Sequence, residues 1–345
     1  MKKKINHFKR IIFRADGNGE IGYGHLTRLN ALADIISPEF KVTFLTRHDS
    51  NISLIGNNIE IVIIPKEIGL NDEIYWIYKK FTTNNNLIIA DGYQFNTSYQ
   101  KKIKNLGYKL IFIDDLVKFH MYADIVINHA IGLDESHYSG EKYVKYYLGS
   151  KYALLRNSFI EVSKSRVEKT LKFETAFVSF GGTNVSRIIR CAVEALIEFE
   201  SFKRVIVVIG KSFSSKDVIN FFSTESKIEL FREVDEKEIS KLMQRSDFAI
   251  VPSSTISYEL ACSRCIIASG YTVQNQFHIY EGLKENNIVF GMGDISNFVK
   301  EDFQYQIKKI VTSKIEVLES KLQSQINYFD GNQKERLLNI VNSLK

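Results

Sequence analysis

The chain has 345 residues, of which 44% are hydrophobic and 25% charged, so it has the composition of an ordinary globular protein. This composition excludes wholesale disorder and collagen-like repeats, and the length suggests about two domains. No apolar run approaches the roughly 18 residues that span a bilayer, and the short run Ile11–Phe13 is too brief for a signal peptide. The 3 cysteines are an odd number, which favours reduced thiols and a cytoplasmic location.

The charge balance predicts a small anionic ligand at most. Lys and Arg total 46 and Asp and Glu total 40, which gives a net charge of +6 spread along the chain. Nucleic-acid binding would require a dense basic stripe with interleaved aromatic residues, and the sequence shows none. We therefore expect neither a nucleic-acid partner nor a membrane span, and we expect the Lys2–Lys4 run to be exposed to solvent.

Short apolar runs alternate with segments of helical periodicity, which predicts an α/β fold with two doubly wound Rossmann-type domains. Runs that are apolar throughout indicate strands buried on both faces of a parallel sheet. We predict an N-terminal domain at 1–160, a C-terminal domain at 173–313 and C-terminal helices at 314–345 that pack back towards the N-terminal domain. The polar stretch Glu161–Lys172 is the best candidate for a linker. Such folds bind ligands beyond the carboxyl ends of their strands.

The first strand-to-helix turn is rich in glycine and carries His25 at the start of the predicted helix. Gly17, Gly19 and Gly22 match the dinucleotide-binding fingerprint. Thr46-Arg47 stands where NAD binding would require an acidic residue for the ribose, so this first alternative is limited to NADP, whose phosphate Arg47 could bind. A second alternative is a flexible loop with a surface histidine. The third is a catalytic one: the helix dipole disfavours the imidazolium, so His25 can accept a proton, with Arg28 on the same helical face.

Three further turns offer groups that suit a nucleotide sugar. Ser254 and Thr255 open a helix whose free N–H groups suit a diphosphate, and Glu259 can accept from the ribose hydroxyls. The turn at Gly181-Gly182 can present backbone amides to a phosphate, and Asn275 and Gln276 carry amides for sugar hydroxyls. Each has a structural alternative, namely a capped helix, a tight turn and a polar loop.

Other motifs have weaker interpretations. Cys262-x-x-Cys265 has no second pair for zinc, and His120, His129 and His137 lack metal-ligand spacing. Asp114-Asp115 is either a carboxylate pair or the polar end of a strand. We therefore predict no metal site and no cofactor.

The motifs taken in order resemble the UDP-2,4-diacetamido-2,4,6-trideoxy-β-L-altropyranose hydrolases of pseudaminic acid biosynthesis, which are similar to glycosyltransferase-B (GT-B) enzymes such as the lipid II N-acetylglucosaminyltransferase. The resemblance covers nearly the whole chain. It rests on landmarks from both halves: Arg14-x-Asp16, Ile21-Gly22-x-Gly24-His25-x-x-Arg28, Asp91-Gly92-Tyr93, Ile113-Asp114-Asp115, Ala123-Asp124-x-Val126-Ile127-Asn128, Leu148-Gly149, Leu154-Leu155-Arg156, Phe159, Ser179-Phe180-Gly181-Gly182, Ser254-Thr255, Glu259, Asn275-Gln276 and Asp330-Gly331.

The resemblance implies a GT-B-like fold whose two domains face each other across a cleft, and a hydrolase that releases UDP without metal and with inversion. It implies His25 as the base that activates water. It implies UDP contacts from Gly181, Gly182, Ser254, Thr255 and Glu259, and sugar contacts from the remaining candidates: Asp16, Gly22, Gly24, Arg28, Tyr93, Asn275 and Gln276. Asp16 and Tyr93 are alternatively predicted to orient His25.

The chain departs from the family pattern at Val251-Pro252-Ser253, Asn184 and Asn157-Ser158, which leaves the identity of the sugar open. The alternatives are a GT-B glycosyltransferase, a non-catalytic nucleotide-sugar-binding protein and, more distantly, an NADP oxidoreductase.

Overall fold

A computed structural model of the chain describes residues 8–165, 171–181, 185–210 and 213–344. Its strands are β1 Arg10–Arg14, β2 Lys41–Arg47, β3 Glu60–Ile64, β4 Asn86–Asp91, β5 Lys109–Ile113, β6 His120–Met121, β7 Ile125–Asn128, β8 Ser139–Gly140, β9 Lys145–Leu148, β10 Thr175–Val178, β11 Arg204–Ile209, β12 Ile228–Arg232, β13 Phe248–Pro252, β14 Ile266–Tyr271 and β15 Phe290–Asp294. Its α-helices are α1 Gly24–Ile36, α2 Leu70–Lys80, α3 Thr97–Asn105, α4 Asn157–Lys164, α5 Ser186–Ile197, α6 Lys216–Thr224, α7 Glu236–Gln244, α8 Thr255–Cys262, α9 Phe277–Glu285, α10 Lys300–Val311, α11 Ile315–Tyr328 and α12 Gln333–Asn342.

The chain divides into two compact units. Unit 1 comprises Met1–Asn157 and Gln333–Lys345, and unit 2 comprises Ser158–Asn332. The helices after residue 313 are therefore shared between the units: α11 packs on α8 and β14 of unit 2, whereas α12 packs on α1 of unit 1. In the predicted linker Glu161–Lys172, Glu161–Lys164 forms the end of α4 and 166–170 lie outside the described residues, so the linker stays a prediction.

Unit 1 is built on a parallel sheet with the strand order β3-β2-β1-β4-β5-β7-β9. From β1 the chain moves outward to β2 and β3 and then returns to place β4 on the other side of β1, which is the doubly wound pattern. The reversal puts a topological switch point between β1 and β4. Ile11, Ile12 and Phe13 of β1 are fully buried, as the continuous apolar run predicts for a central parallel strand.

Unit 2 repeats this arrangement with the parallel order β12-β11-β10-β13-β14-β15. Its switch point lies between β10 and β13. Its core packs α5 and α10 against the sheet, with Phe202, Phe248 and Phe303 among the fully buried side chains. The predicted α/β class is therefore confirmed for both halves.

In the described part of the chain, no helix has the length and apolar character needed to cross a membrane.

A buried lysine makes the stability of unit 2 depend on pH. Lys321 of α11 is 7% exposed, and its Nζ donates to the Val289 carbonyl and to Asn287 Oδ1, both at 2.9 Å. Burial lowers the pKa of Lys321 from 10.5 to about 8. Because the unfolded chain binds this proton more tightly, the cost of burying the charge is fully present below about pH 8 and is relieved as the pH rises towards 10.5.

We expect Lys321→Met to remove this pH dependence. The free energy of unfolding, measured by urea titration, should rise less between pH 8 and pH 10 in the variant than in the wild type. Comparing the two proteins cancels the other groups that titrate in this range. An identical pH dependence in both would show that Lys321 is not the group responsible.

Candidate active site

The sheet topology of unit 1 brings the glycine-rich turn and the Asp91 turn together. β1 and β4 are parallel neighbours, and Arg14 at the end of β1 pairs with Ala90 next to the end of β4. The turn after β1 leads into α1, whose second residue is His25, and β4 ends at Asp91. His25 and Asp91 therefore meet at the switch point, where open α/β sheets bind their ligands.

His25 and Asp91 form a buried hydrogen-bonded pair. His25 Nδ1 lies 2.7 Å from Asp91 Oδ1. Burial would raise the pKa of Asp91, but the charges of Arg28 and His25 outweigh it and lower that pKa to about 2. Asp91 is therefore an anion that can only accept, so Nδ1 carries the hydrogen and donates it. In neutral His25 this leaves the lone pair on Nε2, which has no hydrogen-bond partner among the described residues.

Arg28 holds the pair in place from one turn further along α1. Its Nε and Nη2 donate to Asp91 Oδ2 and Oδ1 at 2.5 and 2.6 Å, and Nη1 donates to Asp115 Oδ2 at 2.8 Å. Nη2 also lies 3.0 Å from His25 Nδ1, but both nitrogens carry hydrogen, so this contact is proximity and not a hydrogen bond. The bidentate contact fixes the carboxylate plane and so the direction of the imidazole.

Tyr93 covers the imidazole from the turn after β4. Its ring meets that of His25 edge-on, with centroids 4.5 Å apart and planes at 81°, and the side chain is 37% exposed. The Tyr93 hydroxyl lies 3.4 Å from Asp115 Oδ2, which is too long for a strong O–H···O bond. A narrow cleft beside these groups also borders Leu116 and Phe119. His25, Arg28 and Tyr93 are thus brought together, as the sequence predicts.

Asp16 contacts donors from the protein through both of its oxygens. Oδ1 accepts from Arg14 Nη1 at 2.6 Å and from the Arg47 amide at 2.8 Å, and Oδ2 accepts from Gln94 Nε2 at 3.0 Å. Burial acts to raise the pKa of Asp16, but Arg14 and the other donors lower it overall. Because Gln94 directly follows Tyr93, these contacts anchor the turn that carries Tyr93 and make Asp16 a positioning residue in our interpretation. Its direct contact with the sugar stays a prediction.

The glycines before α1 shape the approach to His25. Gly22 has a φ of +84°, a left-handed conformation that favours glycine, and its amide donates to the Asn18 carbonyl at 3.0 Å. Gly24 is the first residue of α1, and a side chain there would meet no atom within 4 Å. The backbone is therefore open on this side, which fits the predicted sugar contacts without testing them.

The candidate UDP residues of unit 2 flank its switch point. Gly181 follows β10, and Ser254 and Thr255 follow the adjacent β13. Ser254 is the N-cap of α8, yet its side chain makes no capping hydrogen bond. Glu259 is only 4% exposed in the middle of that eight-residue helix. The other residue predicted at this turn, Gly182, lies outside the described residues.

Asn275 and Gln276 follow the next strand, β14, in a short 3-10 turn at Gln274–Gln276 that leads into α9. Gln276 Oε1 accepts from the Thr272 amide at 2.9 Å, so its oxygen closes the turn. Both side chains are partly buried at the same edge of the sheet as Ser254. Their roles towards a sugar stay predictions.

Sequence reasoning assigned no role to Asp91 and left Asp114-Asp115 open. The structure separates that pair, because Asp115 binds Arg28 whereas Asp114 accepts from the Val117 amide and the Tyr138 hydroxyl, both at 3.0 Å. The available signal was that both residues stand at the carboxyl ends of buried strands: Asp91 ends β4, which neighbours β1, and Asp115 comes two residues after β5, which neighbours β4. The cysteines of Cys262-x-x-Cys265 are both buried, and burial raises the pKa of Cys262 to about 12, which disfavours thiolate chemistry.

No family model matches the chain. The chain is 28% identical over 274 residues to the UDP-2,4-diacetamido-2,4,6-trideoxy-β-L-altropyranose hydrolase of Campylobacter jejuni, a match that covers 77% of this chain and 93% of that protein. It is 23% identical over 307 residues to the spore coat polysaccharide biosynthesis protein SpsG of Bacillus subtilis, covering 87% and 88%. An uncharacterised protein of Methanocaldococcus jannaschii is 26% identical over 72% of this chain, which spans 53% of that relative's length.

Solved structures show the same fold. The structure of MurG from Acinetobacter baumannii superposes with a TM-score of 0.64 at 11% sequence identity. The match covers 97% of this chain and 99% of the MurG chain. A putative UDP-N-acetylglucosamine 2-epimerase of Listeria monocytogenes matches 97% and 96% with a TM-score of 0.59 at 12% identity. The resemblance given by the sequence motifs is confirmed, and so is the GT-B class of fold. Solved structures that are named as an epimerase and as a glycosyltransferase, WaaG, share this fold, so the fold does not specify the reaction.

Proposed function

We propose that the protein is a UDP-sugar-processing enzyme of surface polysaccharide biosynthesis and, more narrowly, a hydrolase that releases UDP and a free diacetamido-trideoxy hexose from UDP-2,4-diacetamido-2,4,6-trideoxy-β-L-altropyranose. The observation that carries the proposal is the buried His25–Asp91 pair, in which Nδ1 is occupied and Nε2 is left to act as a base. The Campylobacter jejuni relative, whose name specifies this reaction, supports the choice of substrate.

In this mechanism His25 Nε2 accepts a proton from water while the water oxygen attacks the anomeric carbon. The bond between that carbon and the diphosphate oxygen breaks, and UDP leaves with the electron pair. Attack opposite the leaving group inverts the anomeric configuration. Asp91 stabilises the imidazolium that forms, and Arg28 keeps Asp91 ionised and oriented.

Unit 2 supplies the UDP contacts in this proposal. The N-terminus of α8 offers backbone N–H groups and the Ser254 and Thr255 hydroxyls to the diphosphate, and Glu259 accepts from the ribose. A helix N-terminus can stabilise the departing diphosphate without a cation. We therefore expect turnover to be unchanged by EDTA and not increased by added magnesium. Loss of activity in EDTA that magnesium restores would contradict this expectation.

The test of the proposal is a panel of UDP-sugars incubated with the purified protein in the absence of any acceptor. We expect UDP release, with NMR showing the inverted anomer as the first free sugar. Release of UDP only when a sugar or lipid acceptor is added would identify a glycosyltransferase, in which the same base deprotonates an acceptor hydroxyl. The MurG-like fold keeps this second candidate open. UDP-sugar binding without any release would identify a non-catalytic binding protein.

Glu259→Ala should weaken UDP binding about tenfold or more, because a ribose hydroxyl pair left without its acceptor costs roughly 1–3 kcal/mol. Calorimetric titration with UDP measures this directly. Glu238→Ala is the control, since it removes an exposed acid from the first turn of another helix of the same unit, α7. Equal UDP affinity in both variants would remove Glu259 from the UDP site.

A further inference from the structure

A second cavity lies in unit 1 at the edge of the sheet opposite His25. We call it the basal cavity; it has a volume of about 600 Å³ and is lined by Lys9, Arg10, Lys41, Lys80, Phe81, Thr82, Asn84, Asn85 and Asn86. These residues lie at the beginnings of β1, β2 and β4, at the end of α2 and in the segment that connects α2 to β4. The turn that leads to His25 leaves the other end of β1, and the five-residue strand is about 13 Å long. The basal cavity is therefore separate from the candidate active site.

The lining of the basal cavity carries a local excess of positive charge. Lys9, Arg10, Lys41 and Lys80 contribute four cations, and the lining includes no carboxylate. The nearby Glu60 lies 3.0 Å from Arg10 Nη1 and 3.8 Å from Lys41 Nζ. With Glu60 included, the local net charge is +3. The net charge of the whole chain is +6. The charge is thus less evenly spread than the sequence suggested.

Helix electrostatics account for only part of this cluster. Lys80 is in the last turn of α2, where a cation complements the helix dipole. Lys9 and Lys41 are not at a helix end, and they stand at the beginnings of β1 and β2. Bringing like charges together lowers stability unless an anion compensates them. Glu60 already compensates Arg10 and Lys41, whereas Lys9 and Lys80 have no carboxylate within ion-pair distance among the described residues. Lys9, which is not at a helix end, is therefore the cation whose placement points most directly to an anionic ligand.

Neutral donors complete the lining. The side-chain amides of Asn84 and Asn85 have no hydrogen-bond partner in the part of the chain that the structure describes. Asn85 instead uses its backbone carbonyl, which accepts from the Lys9 amide at 2.7 Å and ties this turn to β1. Ammonium groups and amide N–H groups together are the donors that phosphate oxygens accept from.

We propose that the basal cavity binds a phosphate-bearing ligand with Lys9, Lys41 and Lys80 as its principal contacts. The ligand is either a soluble phosphate compound or a lipid phosphate headgroup, which present the same chemistry to these side chains. Arg10 shapes the cavity wall, because its guanidinium lies 5.2 Å from the Phe81 ring centroid and pairs with Glu60. This site is independent of the proposed hydrolase reaction.

The experiment compares a triple variant, Lys9→Gln/Lys41→Gln/Lys80→Gln, with a matched triple variant, Lys241→Gln/Lys308→Gln/Lys309→Gln. The control removes the same charge from exposed positions in unit 2. The probes are inorganic pyrophosphate, titrated calorimetrically with UDP in excess to occupy the predicted nucleotide site, and vesicles of phosphatidylcholine with or without phosphatidylglycerol. Thermal unfolding of each variant establishes that it is folded.

We expect the wild type and the control variant to bind at least one probe and the basal variant to bind it at least tenfold more weakly. Binding of pyrophosphate alone identifies a soluble ligand, and binding of the phosphatidylglycerol vesicles identifies a lipid headgroup; both support the proposal. Binding of neither probe by the wild type overturns it. An equal loss in both triple variants also overturns it, because the effect would then come from total charge.

Discussion

Replacing His25 by Asn is expected to lower kcat for UDP-sugar hydrolysis by about 10²–10⁴-fold, the usual contribution of a general base. Asn is polar and similar in size, but its amide cannot take a proton from water. UDP affinity should barely change, because the proposed UDP contacts belong to unit 2. Steady-state kinetics with the substrate identified in the panel, together with UDP calorimetry, separate the two effects.

His48→Asn is the matched control, since His48 is an exposed histidine of the same unit. It should retain wild-type turnover. A folded His25→Asn protein that hydrolyses its substrate at nearly the wild-type rate would eliminate the general-base proposal. If UDP affinity fell in parallel with kcat, His25 would be a ligand contact and not the base.

The turns around the candidate site are held by an unusual amount of buried charge. Arg14 is fully buried and donates to both carboxylate oxygens of Glu73, through Nε at 2.7 Å and Nη2 at 3.0 Å. Arg47 and the Tyr99 hydroxyl donate to the same carboxylate, both at 2.6 Å. Well-packed apolar residues are often at least as stabilising as buried ion pairs, so such a network contributes mainly by fixing geometry in our interpretation. It fixes Asp16 and, through Gln94, the turn that follows Asp91.

The sequence predicted the central strands well because their pattern has one cause. The apolar runs Arg10–Arg14 and Glu60–Ile64 predict strands and the periodicity of Glu236–Gln244 predicts a helix, and β1, β3 and α7 have these same bounds. Central parallel strands are buried on both faces, so they read as short apolar runs. β12 and β15 lie at the two edges of their sheet and are half-exposed, so their mixed composition gave no signal.

Individual residues of the candidate active site could be predicted from the sequence, but their arrangement in space could not. His25 and Arg28 are three residues apart on one helix, so helical spacing alone places them on the same face. Asp91 lies 66 residues from His25, and only the pairing of β1 with β4 brings the two together. The sequence places His25 in the field of a helix dipole, but the carboxylate that fixes its tautomer comes from another strand. Strand order is the information that the sequence pattern did not contain.

Replacing Asp91 by Asn is expected to lower kcat by about 10²–10⁴-fold although Asp91 touches no substrate in the proposed mechanism. The amide has one acceptor where the carboxylate has two, and three N–H groups, from His25 Nδ1 and from Arg28 Nε and Nη2, point at those two oxygens. If the NH₂ takes the place of Oδ1, it opposes Arg28 Nη2, and His25 can accept from it only with the ring hydrogen on Nε2, which removes the base. If the NH₂ takes the place of Oδ2, it opposes Arg28 Nε and the bidentate contact is lost.

The same substitution changes acid stability in a direction set by the pKa of Asp91. Because the folded-state pKa is about 2 and the ordinary value is 3.8, the ionised group contributes stability above about pH 4, and this contribution is lost as the pH falls through 2. Asp91→Asn should therefore unfold at lower temperature at neutral pH, and kinetics must be measured well below that temperature.

Asp115→Asn is the control for the kinetic effect. It removes the second carboxylate that binds Arg28 and leaves the contact between His25 and Asp91 intact. We expect a much smaller loss of kcat in that variant, with unchanged UDP affinity in both. If folded Asp91→Asn turned over like Asp115→Asn, Asp91 would serve only to neutralise Arg28, and His25 would act without an orienting partner.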